Sequence, residues 1–334
     1  MFDAVPSRIG LRPSVRGARR GQGAGGRELG EAGKGIVAIV AACTIWGLAT
    51  LYYKAMAHVP PLEVLAHRTL WTLVFFGVAL ALRGRIGEAV ALLRGAQRGR
   101  VRLAAGIVAV NWGLFIWAIQ TGHAVQASLG YYIFPLVSVC LGVLVLGERL
   151  SRGQGAAVAL ACGAVGVLTA GLGVAPWVAL ALAVTFAPYM LIKKQMRAGA
   201  AVSVTAEVML LLPLALVWLA LAHGGVVAGG LFGADAFTTW MLPLSGLITG
   251  GPLILFSWGA QRVRLSTLGL VQYLNPTLQA VVAVLVFREP FTGWHAVAFG
   301  MIWGALALYS LEGWRQERAA RNLATSEGTS GTVL

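Results

Sequence analysis

The chain has 334 residues, of which 58% are hydrophobic and only 11% charged, with a formal net charge of +14. So little polar surface cannot cover a water-soluble globule of this size, and the composition points to the bilayer as solvent.

A hydrocarbon core about 30 Å thick needs roughly 20 apolar residues of helix. The Gly/Arg-rich stretch before Lys34 lacks such a run and is read as a disordered topogenic tail in contact with anionic lipid. The first apolar segment lies too deep and is too long for the h-region of a cleaved signal peptide. Ten windows then qualify as spans: 35–57, 62–82, 103–119, 127–146, 154–172, 176–192, 202–222, 240–258, 266–287 and 293–311. Pro60 and Pro61 separate the first two, because proline cannot continue a helix interior but suits a first turn. Cys43, Cys140 and Cys162 all fall inside spans without CxxC spacing and read as small packing residues. No HExxH, Walker or GxGxxG sequence occurs in a strand-to-helix context, so no metal and no cofactor is expected. The triplet at Asn275, Pro276 and Thr277 is excluded as a glycosylation site by its central proline and by its place within a span.

Basic residues set the expected orientation. With the N-terminus inside, the tail to Lys34, the 83–102 connection, Arg149 and Arg152, Lys193, Lys194 and Arg197, Arg262 and Arg264, and Arg315, Arg318 and Arg321 are all cytoplasmic. Only Lys54, Arg68 and Arg288 of the 26 Lys and Arg remain at or near the outer side. That bias predicts cytoplasmic termini and an even number of spans. It also explains the basic balance without a nucleic-acid partner, whose binders cluster charge and stacking aromatics on a soluble surface.

Two stretches read alike at an offset of 141: Trp117 and Trp258, Gln120 and Gln261, Pro135 and Pro276, Glu148 and Glu289. The chain reads as a duplication of a five-span unit. The odd number inserts the second copy upside down, the inverted-repeat architecture of many secondary transporters.

The runs Ile45-Trp46-Gly47, EVLAHR at 63–68, Asn111-Trp112, ASLGYYIFP at 127–135, GERL at 147–150 and STLGLVQYLNPT at 266–277 resemble the RarD-type proteins of the EamA branch of the drug/metabolite transporter superfamily. The resemblance runs from Lys34 to Leu311. It implies an all-α polytopic protein of the inner membrane, with ten helices in two inverted EamA repeats. On this reading 1–33 is a basic tail, 34–172 the first repeat, 176–312 the second and 313–334 a cytoplasmic tail. It further implies a secondary transporter that exports a small metabolite, amino-acid-like compound or drug. Partners on this reading are a small-molecule substrate and the bilayer, with protons a candidate coupling ion and a homodimer a candidate assembly.

Polar groups inside the spans are the candidate site, since an ionisable side chain at a helix centre costs about 2.5–3.5 kcal/mol on insertion scales. Glu63, His67 and Arg68 lie near the outer end of the second span, with Lys54 opposite on the first. They either snorkel and pair structurally or line a transport cavity; the cavity lining is taken as the expectation. Glu207, close to the repeat position of His67, places a carboxylate at the corresponding end of the seventh span. Tyr131, Pro135 and Ser138 share one face of the fourth span, and Gln272, Asn275 and Gln279 form a stripe around Pro276 on the ninth. Pro135 and Pro276 are expected as gating kinks inside continuous helices. Asn111, Trp112 and Phe115 offer an amide and aromatic surface for a planar or cationic substrate. The Glu148–Arg149 and Arg288–Glu289 pairs read as structural, and Ser151 with Gln154 has capping-box spacing. Two other function classes stay open: a membrane enzyme, for which Glu63 with His67 is the compact acid/base candidate, and a structural or sensory membrane protein.

Overall fold

The computed structural model describes residues 21–147, 150–263 and 265–330. The Glu148–Arg149 pair, Arg264, the side chains of Arg27, Ser266 and Arg321, and the first twenty residues of the basic tail lie outside the described residues. Twelve α-helices follow in order: α1 (Gly21–Ala55), α2 (Pro61–Leu82), α3 (Ile86–Arg94), α4 (Arg98–Gln120), α5 (Ala124–Leu146), α6 (Arg152–Leu172), α7 (Trp177–Gln195), α8 (Ala200–His223), α9 (Ala236–Ala260), α10 (Leu265–Val271), α11 (Leu274–Val281) and α12 (Gly293–Ser330). A π-turn over Val282–Val286 continues α11. Among the described residues ten stretches are long and apolar enough to cross a membrane, and α10, α11 and the π-turn together make the ninth.

The helices are grouped by the duplication. In the first repeat (α1, α2, α4, α5, α6), α1 packs on α9 and α11; in the second, its counterpart α7 packs on α4 and α5. Three repeat-related pairs meet each other directly: α2 with α8, α5 with α11, and α6 with α12. Such an exchange of partners is what a two-fold axis between two five-helix units produces, and the odd helix count makes the units antiparallel. Close approach depends on small residues. A Cβ at Gly246 on α9 would stand 2.5 Å from the Trp71 backbone of α2, so only glycine lets these two helices meet there.

Helix ends follow capping rules at matching positions. Ser151 and Gln154 form a reciprocal capping box at α6. At the repeat position before α12, the Thr292 N–H donates to His295 Nδ1 at 3.2 Å, so histidine takes the place of glutamine. Glu289 serves another helix: its two carboxylate oxygens accept from the N–H groups of Ala124 and Val125, both at 2.8 Å, at the start of α5. Asp235 caps α9 by accepting from the Thr238 N–H at 2.8 Å, and that hydrogen bonding holds its carboxyl below the usual 3.8.

Three features differ from the sequence expectation, the first being that α1 begins at Gly21, within the stretch before Lys34 that reads as a disordered tail. The basic 83–102 connection contains a helix, α3, whose Ala89 is fully buried in a cluster with Leu80 of α2, Val101 of α4 and Val202 of α8. The ninth span is broken, with Gln272 and Tyr273 forming a turn between α10 and α11. Pro276 therefore sits in the first turn of α11 rather than inside a continuous helix. Its ring is incompatible with a helical carbonyl four residues earlier, at Gln272. That oxygen accepts instead from the Asn275 N–H at 3.2 Å, three residues on. Pro135, by contrast, lies inside an unbroken α5.

Candidate functional site

The buried charged side chains lie in two places, Glu63 and Arg68 near the start of α2 and Glu207 near the start of α8. At the first, the α2 helix turns Glu63 and His67 to one side and Arg68 to another, as the 100° step per residue requires. Glu63 is fully buried and accepts the Leu231 N–H at 2.8 Å. His67 stacks on Phe232 with centroids 5.0 Å apart and planes 28° apart, and both its ring nitrogens lack a partner. The two residues thus hold the loop between α8 and α9 over the end of α2, whereas the sequence expectation had them lining an open vestibule together with Arg68. Lys54 joins neither group: its amine donates to the Gln120 carbonyl at 3.4 Å and lies 5.7 Å from the Phe287 ring centre.

Arg68 faces the interior. Its guanidinium lies 4.0 Å over the Trp112 ring of α4 and 5.8 Å from the Tyr53 ring of α1. Around it Phe115 meets Tyr53 edge to face at 5.8 Å and Tyr131 at 5.6 Å, and Tyr131 meets Phe186 of α7 at 5.4 Å. Asn111 is fully buried and donates to the Leu182 carbonyl at 3.1 Å and to the Thr185 hydroxyl at 2.8 Å. It locks α4 to α7, and the Tyr131 hydroxyl reaches its remaining oxygen at 3.4 Å. The surface expected to take a planar or cationic ligand is therefore changed: the amide is spent on α7, and Arg68 already covers Trp112.

The second cluster is an ion pair. Glu207 is fully buried and accepts from Lys193 Nζ at 2.6 Å and from the Tyr189 hydroxyl at 3.1 Å, while Lys193 also donates to Ser203. Sequence reasoning found Glu207 but counted Lys193 only as a topogenic charge. The signal that could have found it is the short 196–199 connection, which folds the end of α7 onto the start of α8. Tyr189 and Phe186, with Trp112, pack between the two clusters.

On the ninth span, Gln279 donates to Asn275 Oδ1 at 2.9 Å, and the Asn275 carbonyl faces Gly47 of α1, where a Cβ would stand 3.1 Å from it. Gln272 is half-buried in the turn and makes no side-chain hydrogen bond among the described residues. Tyr132 and Tyr273, related by the repeat, stack with centroids 6.2 Å and planes 17° apart.

Comparison with known proteins matches residues 33–170 to the EamA-like transporter family. The chain is 40% identical over 299 residues to an uncharacterized transporter of Vibrio cholerae, covering 87% of this chain and 96% of that one. It is 41% identical over 298 residues to protein RarD of Streptomyces exfoliatus (87% and 91% covered) and 30% identical over 303 residues to the chloramphenicol-sensitive protein RarD of Pseudomonas aeruginosa (87% and 97%). A solved crystal structure superposes with a TM-score of 0.56 at 20% identity, over 85% of this chain and 98% of that one, which shows a shared fold. With ten spans, two repeats and near full-length similarity to RarD proteins, this chain belongs to the EamA-like transporter family as a RarD-type multi-pass membrane protein.

Proposed function

We propose that the protein is a secondary active transporter of the cell inner membrane that exports a small metabolite, amino-acid-like compound or drug by alternating access, with both termini cytoplasmic. The exchange of helix partners between the repeats carries the reading. Two antiparallel units that trade the same contacts have two nearly equivalent packings, one open to each side, and rocking between them moves a central site from one face to the other. The polar clusters fit this scheme, with Arg68 in the half entered by the start of α2 and Glu207 with Lys193 in the half entered by the start of α8. Pro135 and the break before Pro276 give α5 and the ninth span places to bend where they cross the axis.

Proteoliposomes loaded with a low-molecular-mass cell extract test this. The protein should deplete a defined set of compounds from the lumen over time. Retention equal to that of empty liposomes would contradict transport.

A further inference from the structure

Among the described residues the buried charged side chains of the spans are Glu63, Arg68 and Glu207, and Arg68 alone of the three makes no hydrogen bond, although Glu63 Oε2 also lacks a donor. Glu207 has Lys193, Glu63 has the Leu231 N–H, and Lys54 reaches the Gln120 carbonyl. Arg68 is 8% exposed, and among the described residues no carboxylate or carbonyl accepts from it; its Nε is buried without an acceptor. The two aromatic faces attract the cation but accept none of its five N–H donors, and cation–π attraction does not replace the lost hydration of a charge.

A second donor points the same way. Thr72 lies one turn beyond Arg68 on the same face of α2, is fully buried, and its hydroxyl has no hydrogen-bond partner among the described residues. Other helix threonines return their hydroxyl to the carbonyl four residues earlier, as Thr69, Thr169, Thr205 and Thr249 do at 2.8–2.9 Å. Thr72 does not. An Arg and a hydroxyl, one turn apart, are both buried and both unspent; Arg68 lies against Trp112 and Tyr53, and the Thr72 backbone meets Gly246 of α9.

We infer that the substrate is a small organic carboxylate with an apolar body, its carboxylate received by the Arg68 guanidinium and the Thr72 hydroxyl and its body laid against Tyr53 and Phe115, beside the Trp112 face that Arg68 covers. This rests on the transporter reading and gives that site its substrate class. A carboxylate matches the guanidinium edge with two parallel N–H···O bonds while the guanidinium face stays on Trp112. An ammonium at the same point would meet a like charge. A neutral amide would meet the guanidinium with one acceptor and leave the charge uncompensated.

The test uses the purified full-length protein in lipid nanodiscs, titrated with phenylacetate, its neutral amide phenylacetamide, the cation phenethylamine and inorganic phosphate, with thermal unfolding and equilibrium binding as readouts. Phenylacetate should bind and stabilise the wild type, and at least tenfold more weakly in Arg68→Met. Arg68→Lys should retain part of that affinity. Thr72→Val should weaken phenylacetate severalfold without lowering the stability of the ligand-free protein, which a purely structural threonine would not do. The inference is overturned if phenylacetate fails to bind the wild type, if the amide, amine or phosphate binds as well, or if binding survives Arg68→Met. Lumen-depletion assays on the same preparations separate the two readings. Carboxylate binding without flux would refute transport alone, and flux of cations or neutral compounds alone would refute the carboxylate class.

Discussion

Tyr132 of α5 and Tyr273, which precedes α11, are separated by 141 residues and stack on one another, with centroids 6.2 Å and planes 17° apart. A residue that touches its own repeat counterpart marks where the two-fold axis passes. Thr277 donates to the Tyr273 carbonyl at 2.7 Å, so the Tyr132 hydroxyl donates to Thr277, at 2.5 Å. Tyr132→Phe should keep the stack and cost about 1 kcal/mol, whereas Tyr132→Ala should cost about 3–5 kcal/mol, since it also empties a site enclosed by Phe299 and Trp303. Chemical denaturation in detergent measures both, and equal losses would show that packing at the axis is unimportant.

The two prolines should respond differently. Pro276→Ala supplies an N–H that can reach the Gln272 carbonyl and removes the ring that excludes it, allowing α10 and α11 to fuse. Pro135→Ala adds one bond to a helix that is already continuous. Flux should fall further in Pro276→Ala, at similar membrane levels of both proteins. The reverse order would place the bending point on α5.

Breaking the buried pair should be costly to stability. Glu207→Gln leaves Lys193 charged and unpaired, with an expected loss of about 3–5 kcal/mol, while the joint replacement Glu207→Leu with Lys193→Met should restore most of it. A double-mutant cycle by thermal unfolding reads the coupling. If the single and double variants lose the same stability, the pair contributes nothing to the fold.

The loop between α8 and α9 is fastened at both ends. Glu63→Ala should raise hydrogen exchange at the Leu231 amide without affecting the middle of α2. At the other end, the lowered pKa of Asp235 means that its capping contribution is present above the usual carboxylate value of 3.8 and is lost as pH falls through the lower folded value. Wild type and Asp235→Asn should therefore differ in exchange at Thr238 near neutral pH and converge in acid. A difference that grows on acidification would reverse the assigned sign.

Span count, repeat offset and the Ser151–Gln154 capping box were legible in the sequence because each rests on periodicity or short spacing. The break at Gln272 was not, since a proline inside an apolar run is compatible with a kink, a break or a first turn, and tertiary packing decides among them. Glu63, His67 and Arg68 read as one cluster because they are adjacent in the chain. Helical geometry sends Arg68 to Trp112 and Tyr53, and only the position of the 229–232 backbone shows what holds the other two. Lys193 and Thr72 were missed for the same reason: a lysine at a span end and a threonine in a helix are ordinary until their partners, or the lack of them, are seen.

Export of small carboxylates through the Arg68 site, as proposed above, is open to test in whole cells. The most direct measurement compares the metabolites in the medium of cells expressing the wild type, Arg68→Met or empty vector, with membrane levels of the two proteins matched. The account predicts enrichment of one or a few small organic acids with wild type and a return to the vector level with Arg68→Met. Equal enrichment by both proteins, or enrichment confined to cationic or neutral compounds, would contradict it.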